Sequence, residues 1–443
     1  MNRINWNISI WIAVAGMLVI PLTGAAQHTT LTSLDDAFKL ALTSNVDYQN
    51  YILNQKKADL EYKQAKAYRL PNITGSFSGQ RNIDLAVTPL PGEIFGQPEQ
   101  TIEAQFGQEY NYNAGITISK NLLNREASLQ SKISKLNAKL TAVEKDVFEE
   151  LLKEQVSLYY YTGLVAKRAI EIGHQDLESA ESIRQLSQHK FDQGIIDALA
   201  LNTAKINVNS VKQNLNANKQ LEYQCMIELK KLFAMNVSDT LTIDGEIGKS
   251  LPELIEVPQL QTSHLVESAA LQLKQADMQV KLSRSALLPS ISMNTYYGRQ
   301  QFRDDFGLSF GNGSWTNYSY LSLNLSVPIF TGFSNRSKIK QSQLNQQIAF
   351  SEKQETEQHA ALDDELLVAD YRLSLADVQS TSETYQLYEK NKELTFQKYE
   401  EGLISLDGYL AVFEDYIKAE NAYLNTLSKL YTYYSQIIPR IER

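Results

Sequence analysis

Two stretches decide the fold: Lys190-Phe-Asp-Gln-Gly-Ile-Ile-Asp197 and Lys398-Tyr-Glu-Glu-Gly-Leu-Ile-Ser405. Lysine, aromatic, acid, Gln/Glu, Gly and two aliphatics recur in one order. Each copy ends a long charged helical run at its glycine, and each is followed by a second helical run. The copies start at Lys190 and Lys398, a separation a little under half of the 443 residues. A period that long marks a duplicated half of a chain and exceeds any solenoid repeat. The expected halves are residues 27–250 and 251–443.

Working outward, the first half begins with a capped helix start at Ser33-Leu-Asp-Asp36 and a helical pattern that stops at Arg69-Leu-Pro71, where proline disfavours helix before it. The period then changes to two. Ile73, Gly75, Phe77 and Gly79 alternate with Ser, Thr and Asn, a polar Pro/Gly-containing loop follows over about 84–108, and Tyr110, Tyr112, Ala114, Ile116 and Ile118 form a second apolar row. Helix resumes near Asn124. Leu129, Ile133, Leu136, Leu140, Val143 and Val147 make a heptad seam. The run reaches His189 without a proline, and at 1.5 Å per residue it predicts a rod roughly 100 Å long. Such a rod is too long for a globular core and suits a tube or stalk. The run after Gly194, to about Met235, is expected to pack back antiparallel as a hairpin.

The connector 236–261 carries Pro252 and Pro258, and the order then repeats. A helix ends at Leu287-Leu-Pro289. Ile291, Met293, Thr295 and Tyr297 line one strand, and Leu321, Leu323, Leu325 and Val327 another. A long helix with a seam at Leu362, Leu366, Ala369, Leu373 and Ala376 runs to Gly402, and a final helix reaches about Ile438. The fold class is mainly α with a β portion. Each half reads helix, β-hairpin (72–119 and 290–327), long helix, Gly turn, helix.

The first residues read as an export signal over 1–26: Arg3, an apolar run from Ile8 to Leu22, and small residues at Gly24-Ala25-Ala26. The apolar run is short for a spanning helix, and no cysteine follows it. The single cysteine, Cys225, sits in an apolar helical context and reads as a buried thiol. A net charge of −9 and a pI near 5.3 leave no basic footprint for nucleic acid. The five histidines show no ligand spacing, Asp363-Asp-Glu365 points three ways on a heptad helix, and there is no Gly-x-Ser-x-Gly nucleophile signature. The chain is not expected to be an enzyme, and no cofactor or metal is expected.

Four exported strands of about ten residues, each with one apolar face and with long loops on one side, have the length and period of transmembrane β-strands. The expected lipid-facing residues are Ile73, Phe77, Tyr112, Ile116, Ile118, Ile291, Met293, Leu321, Leu323 and Leu325. Lipid tolerates no open sheet edge, and bacterial barrels hold at least eight strands, so four per chain demand an oligomer. Two chains give eight strands and three give twelve; the residues alone do not choose, although an eight-stranded interior is filled by side chains and a conduit favours three. An exported coiled-coil scaffold without a pore is the alternative that the residues leave open, and an autonomous porin a third.

The order of elements, the Leu-Pro junctions at Pro71 and Pro289, the stretch Val327-Pro-Ile-Phe-Thr-Gly332 and the paired Gly turns resemble the TolC-like outer-membrane efflux protein family. The resemblance spans nearly the whole chain after the export signal. It implies a homotrimer with a twelve-stranded β-barrel in the outer membrane and a twelve-helix α-barrel crossing the periplasm. It also implies a passive exit duct that docks onto a periplasmic adaptor (membrane fusion) protein and an inner-membrane pump of the RND or ABC type. The adaptor-contact tips implied here are Asp192, Gln193, Gly194 and Ile195, with Glu400, Glu401, Gly402 and Leu403. Some members narrow the periplasmic end with aspartates about a turn past the glycine. The nearest acids in this sequence are Asp197 and Asp407, the latter one residue out of phase, with Gly408 where an acid would be expected.

Overall fold

The computed structural model describes residues 28–91, 96, 101–245, 247 and 260–441. The expected export signal lies outside the described residues, as do most connector residues from 246 to 259. Two rods dominate the chain: α3 (Arg125–Asp192) and α6 (Ser334–Glu400), of 68 and 67 residues. At the standard rise each is about 100 Å long.

Shorter helices tile these rods. The first helical run is two helices, α1 (Leu34–Ser44) and α2 (Val46–Lys66). The expected continuous helix is broken at Asn45, whose Oδ1 accepts from the Tyr48 amide at 2.9 Å while its amide group donates to the Leu232 carbonyl. A side chain that caps one helix and anchors to another outcompetes one more backbone turn. Helix α2 and α5 (His264–Ser285) pack against the first part of α3, and α4 (Ala198–Leu232) and α7 (Leu406–Ile441) against its second part. Both α5 and α7 also pack on α6. In cross-section the order is therefore α2-α3-α5-α6 at one level and α4-α3-α7-α6 at the other.

The α3 seam is buried as expected at Leu129, Ile133, Leu140 and Val143. The α6 seam is not. Leu362, Leu366 and Leu373 are 63%, 60% and 64% exposed, and Ala369 and Ala376 are exposed too. On the opposite flank α2 exposes Val46, Leu53 and Leu60 at heptad spacing, and α4 exposes Leu199 and Ile206. The two flanks thus carry apolar seams with no partner in this chain.

The main sheet shows the same arrangement. Strands β2 (Asn72–Arg81), β5 (Tyr110–Leu123), β7 (Ser290–Arg303) and β8 (Thr316–Ser326) are antiparallel in the order β2-β5-β7-β8. The register aligns Ile73 with Ile118, Ile118 with Thr295, and Thr295 with Leu321. With period two, all ten expected lipid-facing residues fall on one face, and Ser, Thr and Asn dominate the other. Tyr112 shares the apolar face but is covered: the Gly307 amide, in the β7–β8 loop, donates to its hydroxyl at 3.1 Å.

Four short strands, in two pairs, escaped sequence reading. Strands β3 (Val87–Pro91) and β4 (Thr101–Gln105) pair as a hairpin inside the segment expected to be loop. At the waist β1 (His28–Leu31) runs parallel to β6 (Thr240–Ile243). Leu31, Leu241 and Ile243 of that pair join Leu152, Val156 and Tyr160 of α3 and Leu427, Ile437 and Ile438 of α7 in the largest core.

On the polar face, Tyr296 lies over two glycines and stacks on Tyr320. A Cβ on Gly298 would sit 2.6 Å from the Ala114 carbonyl oxygen and 2.6 Å from the Tyr296 hydroxyl. Backbone on one side leaves nowhere to relax, so Gly298→Val should destabilise the sheet by about 1–3 kcal/mol. The expected readout is a lower temperature of conversion from folded to unfolded form on heat-modifiability gels, with Gly311→Val, which meets only Ser309 Oγ at 3.8 Å, unchanged.

Candidate functional site

The repeated Lys-aromatic-acid-x-Gly stretches form two neighbouring hairpin tips at the end of the molecule farthest from the sheet. Both helices end the same way. Gln193 and Glu401 are the C-caps, and Gly194 and Gly402 follow with φ of 74° and 76°. The Ile195 amide donates to the Lys190 carbonyl and the Gly194 amide to that of Phe191, both at 2.8 Å. Leu403 and Gly402 repeat the pattern onto Lys398 and Tyr399 at 2.8 and 3.1 Å. These are Schellman caps, and the left-handed residue at their centre accounts for the repeated glycine. A Cβ at either glycine would meet nothing within 4 Å in this chain, so φ and not crowding demands glycine there.

The helices that follow start alike too. Asp197 Oδ1 accepts from the Ala200 amide at 2.9 Å, and Ser405 Oγ accepts from the Gly408 amide at 3.2 Å. Asp197 is thus a helix N-cap, and Ser405 is its counterpart in the second copy. Asp407 stands exposed in the first turn of α7. The eight expected tip residues, Asp192 to Ile195 and Glu400 to Leu403, are all exposed.

Sequence alone did not reveal how the two tips are tied. Lys190 Nζ donates to the Tyr399 carbonyl at 3.1 Å and lies 3.9 Å from the centre of its ring. The Tyr399 ring is buried and stacks on Tyr409, above a core made by Ile183, Val208, Leu410 and Phe413. The aromatic at the matching place in the first tip, Phe191, is 37% exposed. The tips share a backbone and differ in anchoring: the second is held by the first.

A family model described as "Outer membrane efflux protein" matches residues 37–234 and 258–437, nearly all of both halves. The chain belongs to the outer membrane efflux protein family. The probable efflux pump outer membrane protein TtgC of Pseudomonas putida is 23% identical over 336 residues, covering 74% of this chain and 66% of that relative. The probable outer membrane lipoprotein SilC of Salmonella typhimurium is 24% identical over 365 residues, covering 81% and 73%. The crystal structure of the Campylobacter jejuni CmeC outer membrane channel superposes with a TM-score of 0.75 at 19% identity, covering 92% of this chain and 85% of that one. The fold is that of the TolC-like channels, with a helical barrel portion and a β portion. Family membership places the protein in the outer membrane, with its helices extending into the periplasm.

Farther up its rods, this efflux-family chain buries charge where α3, α6 and α7 meet. Asp176 on α3 and Glu420 on α7 are almost fully buried. Lys392 on α6 reaches between them, 3.4 Å from Asp176 Oδ1 and 3.7 Å from the centre of the Tyr416 ring. Burial, and then the adjacent Asp176 carboxyl, hold Glu420 protonated well above the ordinary carboxylate range. One acid of Asp363-Asp-Glu365 is also engaged: Asp364 takes a two-pronged contact from Arg440, which also donates to the Gln261 carbonyl at 2.7 Å.

Two outcomes follow. Lys190→Met should cost about 1 kcal/mol locally and speed amide exchange over 398–406, while Lys398→Met, on the exposed counterpart, should leave exchange unchanged. Glu420 binds a proton in the folded state that the unfolded chain, with a carboxyl near 4.5, has released. Its contribution is therefore complete below that value and is lost as pH rises through the folded value. Glu420→Gln should flatten the fall of the thermal midpoint with pH above about pH 5.

Proposed function

We propose that this protein is a passive exit duct formed by three copies, with its sheet in the outer membrane and its helical tips docked on a periplasmic adaptor protein that links it to an inner-membrane pump. One observation carries the reading. Sheet and helices run in the same lateral order, and both end in unsatisfied edges: β2 with α2 and α4 on one flank, β8 with α6 on the other. A heterologous contact that sets one copy's β2 flank against the next copy's β8 flank satisfies the strand edges and both heptad seams with one rotation. Inside a copy, α2 and α4 already tile α3 end to end, as α5 and α7 tile α6, so the flanks match in length.

Three copies give twelve strands and, at each level, twelve helices. The apolar face carrying Ile73, Phe77, Ile116, Ile118, Ile291, Met293, Leu321, Leu323 and Leu325 then faces lipid. The Ser/Thr/Asn face lines a watery lumen, wider than eight strands would leave. In this reading the duct is passive, and the drive belongs to a pump of the RND or ABC class.

At the tips, Ile195 and Leu403 present apolar side chains beside Asp192, Gln193, Glu400 and Glu401, a mixed surface suited to a protein partner. For the constriction we favour Asp407 over Asp197, because capping α4 already occupies one Asp197 oxygen.

The purified protein should fractionate with outer membrane, run as an SDS-resistant trimer and conduct ions in planar bilayers. Leu366→Lys with Leu373→Lys should abolish trimer and conductance, since two lysines would enter an apolar seam. Recovery of a soluble, non-conducting protein from periplasm would instead establish a scaffold. Charge reversal at Glu400 and Glu401 should abolish adaptor cross-linking while leaving the trimer intact; cross-linking that persists would remove the tips from the interface.

A further inference from the structure

The β7–β8 loop does not stand away from the sheet. Gln301, on the apolar face of β7 and almost fully buried, takes the Ser309 amide on its Oε1 at 3.0 Å and donates to the Ser309 and Ser314 carbonyls. Trp315 Nε1 donates to the same Ser309 carbonyl at 2.8 Å. The loop is thereby folded down over the outward face, and beneath it lies a cavity of about 450 Å³ lined by Phe310, Trp315, Tyr297, Arg299 and Asn317.

Arg299 is the unusual member. Its outward-facing row is Phe77, Ala114 and Asn317, with no acid. The neighbouring acids are engaged: Glu109 with Arg81, Asp305 with Arg303, and Asp304 with Gln108. Among the described residues Arg299 makes no ion pair. Its height is also specific. From Ile291 at the helix-side end of the apolar face, Arg299 is roughly 27 Å along the strand at ~3.4 Å per residue. At a tilt of ~40° that is about 21 Å of a ~25 Å apolar band, close to the border on the side of the loops. The helices leave from the opposite end, so this border is the outer leaflet.

We propose that Arg299, Phe310 and Trp315 form a seat for an anionic lipid of the outer leaflet, with the guanidinium on the headgroup phosphate and the two aromatic rings along the upper acyl chain. A guanidinium is weakly hydrated and presents paired donors that fit a phosphate. An uncompensated arginine at the edge of an apolar band gains most from an anion at that depth. The proposal rests on the membrane-facing assignment of this sheet face, and the test separates the two.

Once residues 1–26 are removed, Trp315 is the single tryptophan of the chain, because the other two are Trp6 and Trp11. Its emission therefore reports the site directly. The full oligomer is placed in phosphatidylcholine vesicles containing a minor fraction of phosphatidylglycerol, with either lipid brominated on its acyl chains. Wild type should show brominated phosphatidylglycerol enriched around Trp315 by roughly fivefold over its bulk fraction, the value expected for one basic side chain at a membrane surface. Arg299→Gln should bring the enrichment to unity, and Arg299→Lys should retain part of it. Equal quenching by the two brominated lipids in wild type, or an unchanged preference in Arg299→Gln, overturns the seat while leaving the face in lipid. A preference abolished by excess inorganic phosphate makes it a site for the free anion and overturns the lipid. No quenching by either lipid overturns the seat together with the membrane-facing assignment.

Discussion

Unpaired backbone at the edges of β2 and β8 is the constraint on which the rest of this molecule depends. In water a four-stranded sheet can leave its edges to solvent. In hydrocarbon each unpaired amide or carbonyl costs several kcal/mol, and two ten-residue edges are intolerable. A second copy of the chain supplies matching strands for both edges at once. In the proposed closure that demand propagates into the helices, because the same contact would bring α6 of one copy beside α2 and α4 of the next. Under the proposed closure, the exposed seams at Val46, Leu53 and Leu60, and at Leu362, Leu366 and Leu373, are its consequences and not surface defects. A large exposed apolar stripe on an isolated chain would otherwise mark an aggregation hazard.

How much of this the sequence disclosed depended on the length of each periodic signal. The rods α3 and α6 and the four long strands repeat a pattern over many residues, and all were readable. The β1–β6 pair was not, since four residues such as His28-Thr-Thr-Leu31 carry no period and owe their conformation to the α3 and α7 core beneath them. The break at Asn45 was hidden for a related reason: helical propensity continues on both sides, and what ends α1 is a side-chain cap with an anchor on Leu232. The hairpin β3–β4 hid in a segment whose prolines argued for loop, yet Pro89 and Pro91 sit in a two-stranded ribbon where half the backbone needs no partner. Heptad spacing also said that the α6 seam is apolar without saying what faces it. Burial within one chain and burial between copies look the same in sequence.

The tips show the same limit at the level of single residues. The repeat made Gly194 and Gly402 equivalent, and their backbone is. Their surroundings are not: Phe191 stays near solvent while Tyr399 is buried under Lys190 and stacked on Tyr409. One buried tyrosine ring and one lysine therefore turn a duplicated hairpin into two parts, one carrying the other. Asp197 and Ser405 illustrate the converse, since different residues at matching places perform the same capping. An acid near a pore opening is not by itself a gate when a helix start has prior use for it.

The buried Asp176–Glu420–Lys392 cluster bears on register. Long antiparallel rods packed by heptads can slip by a turn and still bury leucine against leucine. Hydrophobic seams alone thus specify the helices' neighbours better than their offset. Breaking a buried charged contact is far more costly than making it is favourable, so a slip of α7 past α3 and α6 by one turn would separate Glu420 from Asp176 and take the Tyr416 ring away from Lys392. The bond between Arg440 and Asp364 would be lost by the same displacement. Polar contacts at two heights on α7, Glu420 partway along it and Arg440 near its C-terminal end, make any offset other than the native one expensive. If strands are to meet across copies within a residue, as proposed, fixing the offset of the rods that hold those strands matters more than the net stability the charges add.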